Sequence, residues 1–298
     1  MEETIEKRIR IAARRLKDPA EREVDVIEER QALEIGRTCG ASLHEIYTRA
    51  LRLGVCPYRY LRNREILTLQ EQLKLAESRV AVVGAGGLGG TVLSLLARIG
   101  IGHLVVVDHD VFDETNLNRQ AFCNPENLGK FKAVEAGSQL ERINPGVDVS
   151  VHRALLDRAG GRDFLAGCHV AVDALDNVQS RLALEETTRD LGIPLVHGAL
   201  AGFEGQVMSI FPGDGGLRQI YGNGVEEKRG QASRPEAVLG VPGITPSLVA
   251  TLQAMEVVKI LLNRGSVFRN AMIYIDLERG ELSRFRFDPA GSSRLDEI

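Results

Sequence analysis

The residues of this chain best suited to chemistry are polar groups that follow short apolar runs. Asp108 ends Leu104-Val105-Val106-Val107. Asn116 and Arg119 lie in the irregular stretch behind it, Lys130 and Lys132 open a helical pattern, and Asp176 and Asn177 close Val170-Ala171-Val172-Asp173-Ala174-Leu175. Loops at the C-terminal ends of parallel strands are where open α/β sheets hold ligands. The residue types point to phosphate. Two lysines at a helix start oppose the helix dipole, a placement that a bound polyphosphate would compensate. A carboxylate such as Asp176 facing a triphosphate is unfavourable unless a metal lies between them, which implies Mg²⁺ held by that carboxylate and substrate oxygens. On spacing alone Asp176 can equally cap the helix that contains Arg181, Leu182 and Leu184.

The element that must position these groups is Val80-Ala81-Val82-Val83-Gly84-Ala85-Gly86-Gly87-Leu88-Gly89, an apolar run ending in a glycine turn, followed by the helical pattern of Leu93, Leu95, Leu96 and Ala97. Gly84, Gly86 and Gly89 satisfy G-x-G-x-x-G. The first allows a tight turn, the second lets the backbone approach a pyrophosphate, and the third lets helix and strand pack closely. Phosphates would lie at the helix N-terminus, where unpaired N–H groups and the dipole favour negative charge. Asp108 stands at about the offset of 20 residues expected of a ribose-binding carboxylate.

The surroundings read as one large α/β unit behind a short extension. With 298 residues, 44% hydrophobic and 26% charged, the chain is long enough for a full core, and its formal net charge of −4 gives no electrostatic argument for nucleic acid or a membrane. No stretch is expected to span a membrane, and the first residues lack the apolar core of a secretory signal, so a cytoplasmic location is expected. Residues 1–57 are expected to be a helical docking or dimerisation arm. Asp18-Pro19 would separate two helices, and Ser42-Leu43-His44-Glu45 would cap a third that stops at Gly54. The first 60 residues hold twelve Lys/Arg against eleven Asp/Glu, so no basic stripe tracks a nucleic-acid backbone. Arg59, Arg62 and Arg64 read as a surface helix start. Val147–Val151 alternates like a strand, and Leu155 to Leu165 suggests a short helix. Beyond Pro194 the pattern turns to strands over 195–199, 206–211, 271–276 and 282–287. The long polar stretch Pro212–Pro235 reads as a functional or mobile loop, and Pro246–Leu262 as a core helix. The fold class is therefore a Rossmann-like doubly wound sheet, parallel in its first half and continuing into antiparallel strands, over residues 58–298.

In this order the pieces resemble the ThiF/MoeB/HesA family, prokaryotic relatives of ubiquitin-activating enzymes, over roughly residues 58–290. The resemblance is carried by Arg62-Asn63-Arg64-Glu65-Ile66, Gly84 to Gly89, Asp108, Asn116-Leu117-Asn118-Arg119-Gln120, Gly129-Lys130-Phe131-Lys132, and Leu175-Asp176-Asn177 with Arg181. It implies an ATP- and Mg²⁺-dependent nucleotidyltransferase that adenylates the C-terminal glycine carboxylate of a small ubiquitin-like sulfur-carrier protein. It further implies that Gly84, Gly86, Gly87 and Gly89 cradle phosphate and that Asp108 binds the ribose. Asn116, Arg119 and Lys132 would contact phosphates, with Lys130 as a further candidate and Asn177 at the nucleotide. Asp176 would hold Mg²⁺, and Arg64 would reach the nucleotide of the other subunit of a homodimer.

Two departures qualify the resemblance. Many members carry paired C-x-x-C zinc ligands and a crossover-loop cysteine, but the cysteines here are Cys39, Cys56, Cys123 and Cys168, and none follows Leu195. Structural zinc is not expected, and neither is a thioester on the crossover loop, so the acyl-adenylate would pass to a separate sulfur donor or amine. Cys123 merits attention because it lies close behind Arg119. The competing readings are adenylation of a tRNA-linked or peptide carboxylate, a NAD-binding oxidoreductase, and a silent dimeric scaffold. The oxidoreductase would share the glycine turn and Asp108 but has no use for Arg119, Lys132 and Asp176 together.

Overall fold

Asp18-Pro19 does separate two elements, but they are strands of a hairpin rather than helices. In the computed structural model, which describes residues 2–156, 160–222, 235–287 and 293–297, helix α1 (Glu2–Ala12) leads into β1 (Arg14–Lys17). Strand β1 pairs antiparallel with β2 (Glu23–Ile27). The Asp18 carboxylate closes the turn by accepting from the backbone N–H of Ala20 and Arg22. Val24 and Val26 alternate with exposed or half-buried Glu23 and Asp25, which is the period of a strand. Helices α2 (Glu29–Cys39) and α3 (Leu43–Arg52) come next, and β3 (Cys56–Pro57) lies parallel to β2. Ser42 caps α3 by accepting from Glu45 N–H, as the sequence predicts. Ile9, Val26, Ile27 and Ile46 are fully buried in the centre of this module.

The arginine-rich stretch is a 3₁₀ turn, Tyr58–Asn63, rather than a helix start. Arg59 pairs with Glu29 at 2.5 Å and donates to the Ile143 carbonyl. Tyr60 Oη accepts from buried Asn144, so the turn ties the N-terminal module to the end of the helix Lys132–Ile143 in the main α/β unit. Helix α4 (Leu69–Ala76) then opens on a Thr68/Glu71 capping box.

The main sheet begins with β4 (Arg79–Val83), helix α5 (Gly87–Ile99), β5 (His103–Val107), α6 (Lys132–Ile143) and β6 (Asp148–His152). The chain then crosses to the other side of β4 with α7 (Gly160–Leu165), β7 (Val170–Asp173), α8 (Val178–Leu191) and β8 (Leu195–Ala201). The predicted helix over 155–165 is thus shorter, beginning at Gly160, and residues 157–159 lie outside the described residues. Strand β9 (Glu204–Ile210), helices α9 (Arg218–Tyr221), α10 (Pro235–Leu239) and α11 (Ile244–Leu262), and strands β10 (Ala271–Asp276), β11 (Glu281–Phe287) and β12 (Ser293–Glu297) complete the order. The loop expected over 212–235 contains α9, and its residues 223–234 lie outside the described residues.

The nine strands are ordered β12-β11-β10-β9-β8-β7-β4-β5-β6, parallel from β8 to β6 and antiparallel from β8 to β12. Strands β4, β5 and β7 read as unbroken apolar runs because helices cover both faces, and Val80, Ala81, Val82, Leu104, Val105, Val106, Val170 and Val172 are fully buried. Helix α11 has the length and hydropathy of a membrane span, contrary to the expectation that no stretch would, but 56% of that window is buried. It packs on α5, β8 and β9, with Val249, Ala250 and Val257 at zero exposure, so its apolarity belongs to the core. The order of strands reverses at β4, and the crevice between β4 and β7 at their C-terminal ends is the place for a ligand.

Candidate active site

The glycine turn after β4 has the shape its residues predict. Gly84 adopts φ +99°, and a Cβ there would lie 2.4 Å from the Ala174 carbonyl oxygen; a Cβ on Gly89 would lie 1.8 Å from the Gly84 oxygen. Those two glycines serve the protein's own packing. Gly86 and Gly87 differ, since side chains there would make only ordinary contacts near 3.6 Å with Gln120 and Arg119. Both line the cleft, so the space they leave open lies on its ligand side. Helix α5 starts at Gly87 with no side-chain cap, and its first residues, Gly87 and Leu88, line this space, so the unpaired N–H groups of a helix start belong to the cleft.

Around the turn the fold gathers a cleft of about 490 Å³. Gly84, Gly86, Gly87, Asp108, Asn116, Arg119, Lys132, Asp176 and Asn177 all line it, from the loops behind β4, β5 and β7 and from the first residues of α5 and α6. Gly89 stands one turn into α5. Arg64 and Lys130 are not brought to the cleft within the chain. Arg64 pairs with the buried Asp18 carboxylate at 3.3 Å, and Lys130 is exposed, 4.0 Å from Glu135. Helix α6 begins at Lys132, which leaves Lys130 outside the helix.

Several groups are held in ways the sequence does not disclose. The Asp108 carboxylate is fixed by two backbone donors, Ala85 N–H and Asp110 N–H, each at 2.7 Å. Burial pushes its carboxyl above the ordinary range, opposed by those two hydrogen bonds and by Lys132. The unfavourable cation at the start of α6 is answered by a protein carboxylate: Lys132 Nζ, nearly buried, donates to Asp110 Oδ2 at 3.0 Å. Asn116 spends its oxygen on the Asp113 N–H. Arg119 is half-buried and anchored by Thr115 O and Asn118 Oδ1 through a single terminal nitrogen, Nη1. Gln120, missed as a site residue although it ends the Asn116–Gln120 motif, has a buried Oε1 with no hydrogen-bond partner among the described residues and lies against Gly86.

On the opposite wall, the helix cap open to Asp176 is made by its neighbour. Asn177 Oδ1 accepts from Ser180 N–H at 2.8 Å. Asp176 stays exposed, its Oδ1 accepting from Asn177 Nδ2 at 3.2 Å, which leaves a carboxylate facing the cleft. That arrangement suits a cation bound by one carboxylate and substrate oxygens. Behind it runs a buried polar network that sequence reasoning does not foresee. Asp173 accepts from His197 Nδ1 at 2.7 Å and from Leu175 N–H, and Arg181 donates to the Leu175 carbonyl and to Tyr221 Oη. Arg181 thereby fixes the backbone that presents Asp176. The sequence signal for this network is a histidine inside the apolar strand Leu195–Ala199.

Cys123 does not line the cleft. Burial pushes its thiol upward, the reverse of what an activated cysteine requires.

The ThiF family model matches residues 60–294. The chain is 38% identical over 206 residues to the SAMP-activating enzyme E1 of Haloferax volcanii, covering 69% of this chain and 75% of that protein. It is 34% identical over 227 residues to the adenylyltransferase and sulfurtransferase MOCS3 of Mus musculus, covering 74% of this chain and 47% of that one. The chain thus spans about half the length of the MOCS3 relative. In fold it is similar to E. coli MccB, with a TM-score of 0.65 at 19% identity over 76% of this chain and 68% of that chain. With the family match running from the 3₁₀ turn into the last strand, this chain is a member of the ThiF family of E1-like adenylyltransferases.

Proposed function

We propose that this protein uses ATP and Mg²⁺ to adenylate the C-terminal glycine carboxylate of a small ubiquitin-like sulfur-carrier protein. A carboxylate oxygen attacks the α-phosphorus, the bond from that phosphorus to the bridging oxygen breaks, and pyrophosphate leaves. Little covalent chemistry falls to the protein, so positioning and charge neutralisation supply most of the rate. The observation that carries this reading is the division of the cleft. Gly86, Gly87 and the α5 N-terminus form its floor, the cations Arg119 and Lys132 stand on one wall, and the exposed Asp176 carboxylate, held on one oxygen by Asn177, stands on the other. A dinucleotide oxidoreductase needs the floor but not the walls.

In this reading Asp108 keeps its spare lone pairs for the ribose hydroxyls, and Asn116, Arg119 and Lys132 take the phosphates, with Asn177 holding the Asp176 loop at the nucleotide. When bound, Mg²⁺ would draw charge from the phosphate oxygens, and Asp176 is the residue that would hold it. Arg64 would serve the cleft of a second copy in a homodimer. The carrier is inferred from what relatives are named for: SAMP in the haloarchaeal protein and a sulfurtransfer function in MOCS3. With no cysteine after Leu195, the acyl-adenylate would pass to a separate sulfur donor protein or amine.

The test is carrier-dependent exchange of pyrophosphate into ATP, using candidate carriers ending in Gly-Gly. Asp176→Asn, on an exposed side chain that caps nothing, is expected to lower exchange by about 10²-fold or more with the fold intact. If no Gly-Gly-ending carrier supports exchange and Asp176→Ala leaves ATP binding unchanged, the proposal is wrong.

A further inference from the structure

We propose that His44, His103 and Asp148 bind one divalent transition-metal ion of the zinc type, and that this ion clamps the N-terminal module to the nucleotide-binding sheet. The three residues come from three segments: His44 is in the first turn of α3, and His103 and Asp148 are the first residues of β5 and β6. One donor atom from each falls within 4.8 Å of the others. The cleft lies at the other end of these strands, five residues or about 16 Å away, so the cluster is separate from the adenylation site.

The geometry is that of ligands rather than of a hydrogen-bonded pair. His103 Nδ1 and Asp148 Oδ2 stand 3.5 Å apart, beyond a normal N–H···O bond of about 2.7–3.2 Å. Two donors on a tetrahedral zinc at about 2.0–2.1 Å are separated by about 3.3 Å. The His44 and His103 rings meet edge-on with centroids 4.4 Å apart, close enough for small rotations to bring both nitrogens to one ion. Two imidazoles with a single carboxylate suit zinc, cobalt or nickel and do not suit Mg²⁺ or Ca²⁺. A three-ligand set also leaves a position for water.

The seat itself is built. His103 and Asp148 are register partners in adjacent strands, and Asp148 N–H donates to the Gly102 carbonyl at 2.8 Å. A Cβ on Gly102 would lie 1.6 Å from the Ala76 oxygen and 2.6 Å from His44 Cε1. The His44 ring therefore rests against bare backbone, and only glycine there admits it. The lack of paired cysteines has no bearing on this site, which uses none.

Cobalt titrated into the full chain, stripped with chelator and free of any histidine tag, tests the proposal. One Co²⁺ per chain with visible d–d absorption is expected, and Zn²⁺ is expected to raise the thermal midpoint by mass action. His44→Ala and His103→Ala should each weaken binding at least tenfold and abolish the thermal shift. Asp148→Asn, on an exposed side chain that leaves the fold intact, should weaken binding as well. A second histidine–carboxylate group, Asp108, His109 and Asp110, stands at the cleft, so His109→Ala serves as the comparison and should leave cobalt binding unchanged. Absence of Co²⁺ binding, or binding that survives His44→Ala and His103→Ala, overturns the proposal.

Discussion

Lys132 offers the sharpest test of the cleft because the fold alone gives it a reason to exist. Its ammonium sits 3.0 Å from Asp110 and only 8% of the residue is exposed, so a purely structural role as an ion-pair partner has to be separated from a role on phosphate. Lys132→Met separates them. Methionine has a similar length and fills the same space, and removing a cation from the first turn of α6 relieves an adverse dipole interaction of about 0.3–1 kcal/mol. Asp110 is half exposed and stays solvated when its partner goes, so no bare charge is buried. These effects oppose one another, and the thermal midpoint should move by less than about 4 °C. A charge-assisted hydrogen bond to phosphate contributes about 1.5–3 kcal/mol, so carrier-dependent ATP–pyrophosphate exchange should fall roughly 10- to 150-fold in kcat/KM. Asp110→Asn removes the ion pair and leaves Lys132 in place, and it should keep exchange within a few-fold of wild type. A phosphate role for Lys132 is refuted if Lys132→Met exchanges nearly normally, or if Asp110→Asn is equally damaging, because then the ion pair and not the phosphate contact is what matters.

The glycines of the turn should divide by what their side chains would strike. Gly89→Ala drives a Cβ into the Gly84 carbonyl and should destabilise the fold by about 1–3 kcal/mol, visible in a urea midpoint. Gly86→Ala meets only Gln120 at ordinary distance, so it should fold normally and bind ATP weakly in a calorimetric titration, and normal ATP binding there would remove the turn from the phosphate site. Burial holds the pKa of His197 below that of a free histidine, more than its hydrogen bond to Asp173 raises it. The unfolded chain therefore takes up a proton near pH 6.5 that the native state refuses, and stability is present above that pH and lost as pH falls below it. The slope reaches at most about 1.4 kcal/mol per pH unit for this group. His197→Asn should flatten the dependence measured by urea unfolding between pH 5.5 and 7.5, leaving the contribution of His103 and His152, whose pKa values burial also lowers; an unchanged slope would clear His197 of the role.

How far the cleft can be read from sequence depends on what competes for each polar group. Strands β4, β5 and β7 are legible because burial on both faces demands unbroken apolar runs, and whatever ends such a run stands at the rim of the crevice. Position along the chain does not reveal whether a rim residue is already engaged by backbone. Asp176 and Asn177 are adjacent and both are good helix caps, yet φ/ψ at the start of α8 lets only Asn177 reach Ser180 N–H, and that single choice leaves Asp176 facing the cleft. Lys130 and Lys132 differ in the same way, through a helix start that falls between them. In the N-terminal module, Val24 and Ile27 stand at a helical spacing while Val24 and Val26 stand at a strand spacing, and the pairing of β2 with β1 and β3 decides between them. The His44, His103 and Asp148 cluster lies beyond any periodicity, since nothing local relates a helix start to the first residues of two strands. It exists because Gly102 lets the module close onto the sheet. The metal titration therefore probes chemistry that tertiary contact alone assembles, by closing a helix start onto the first residues of two strands.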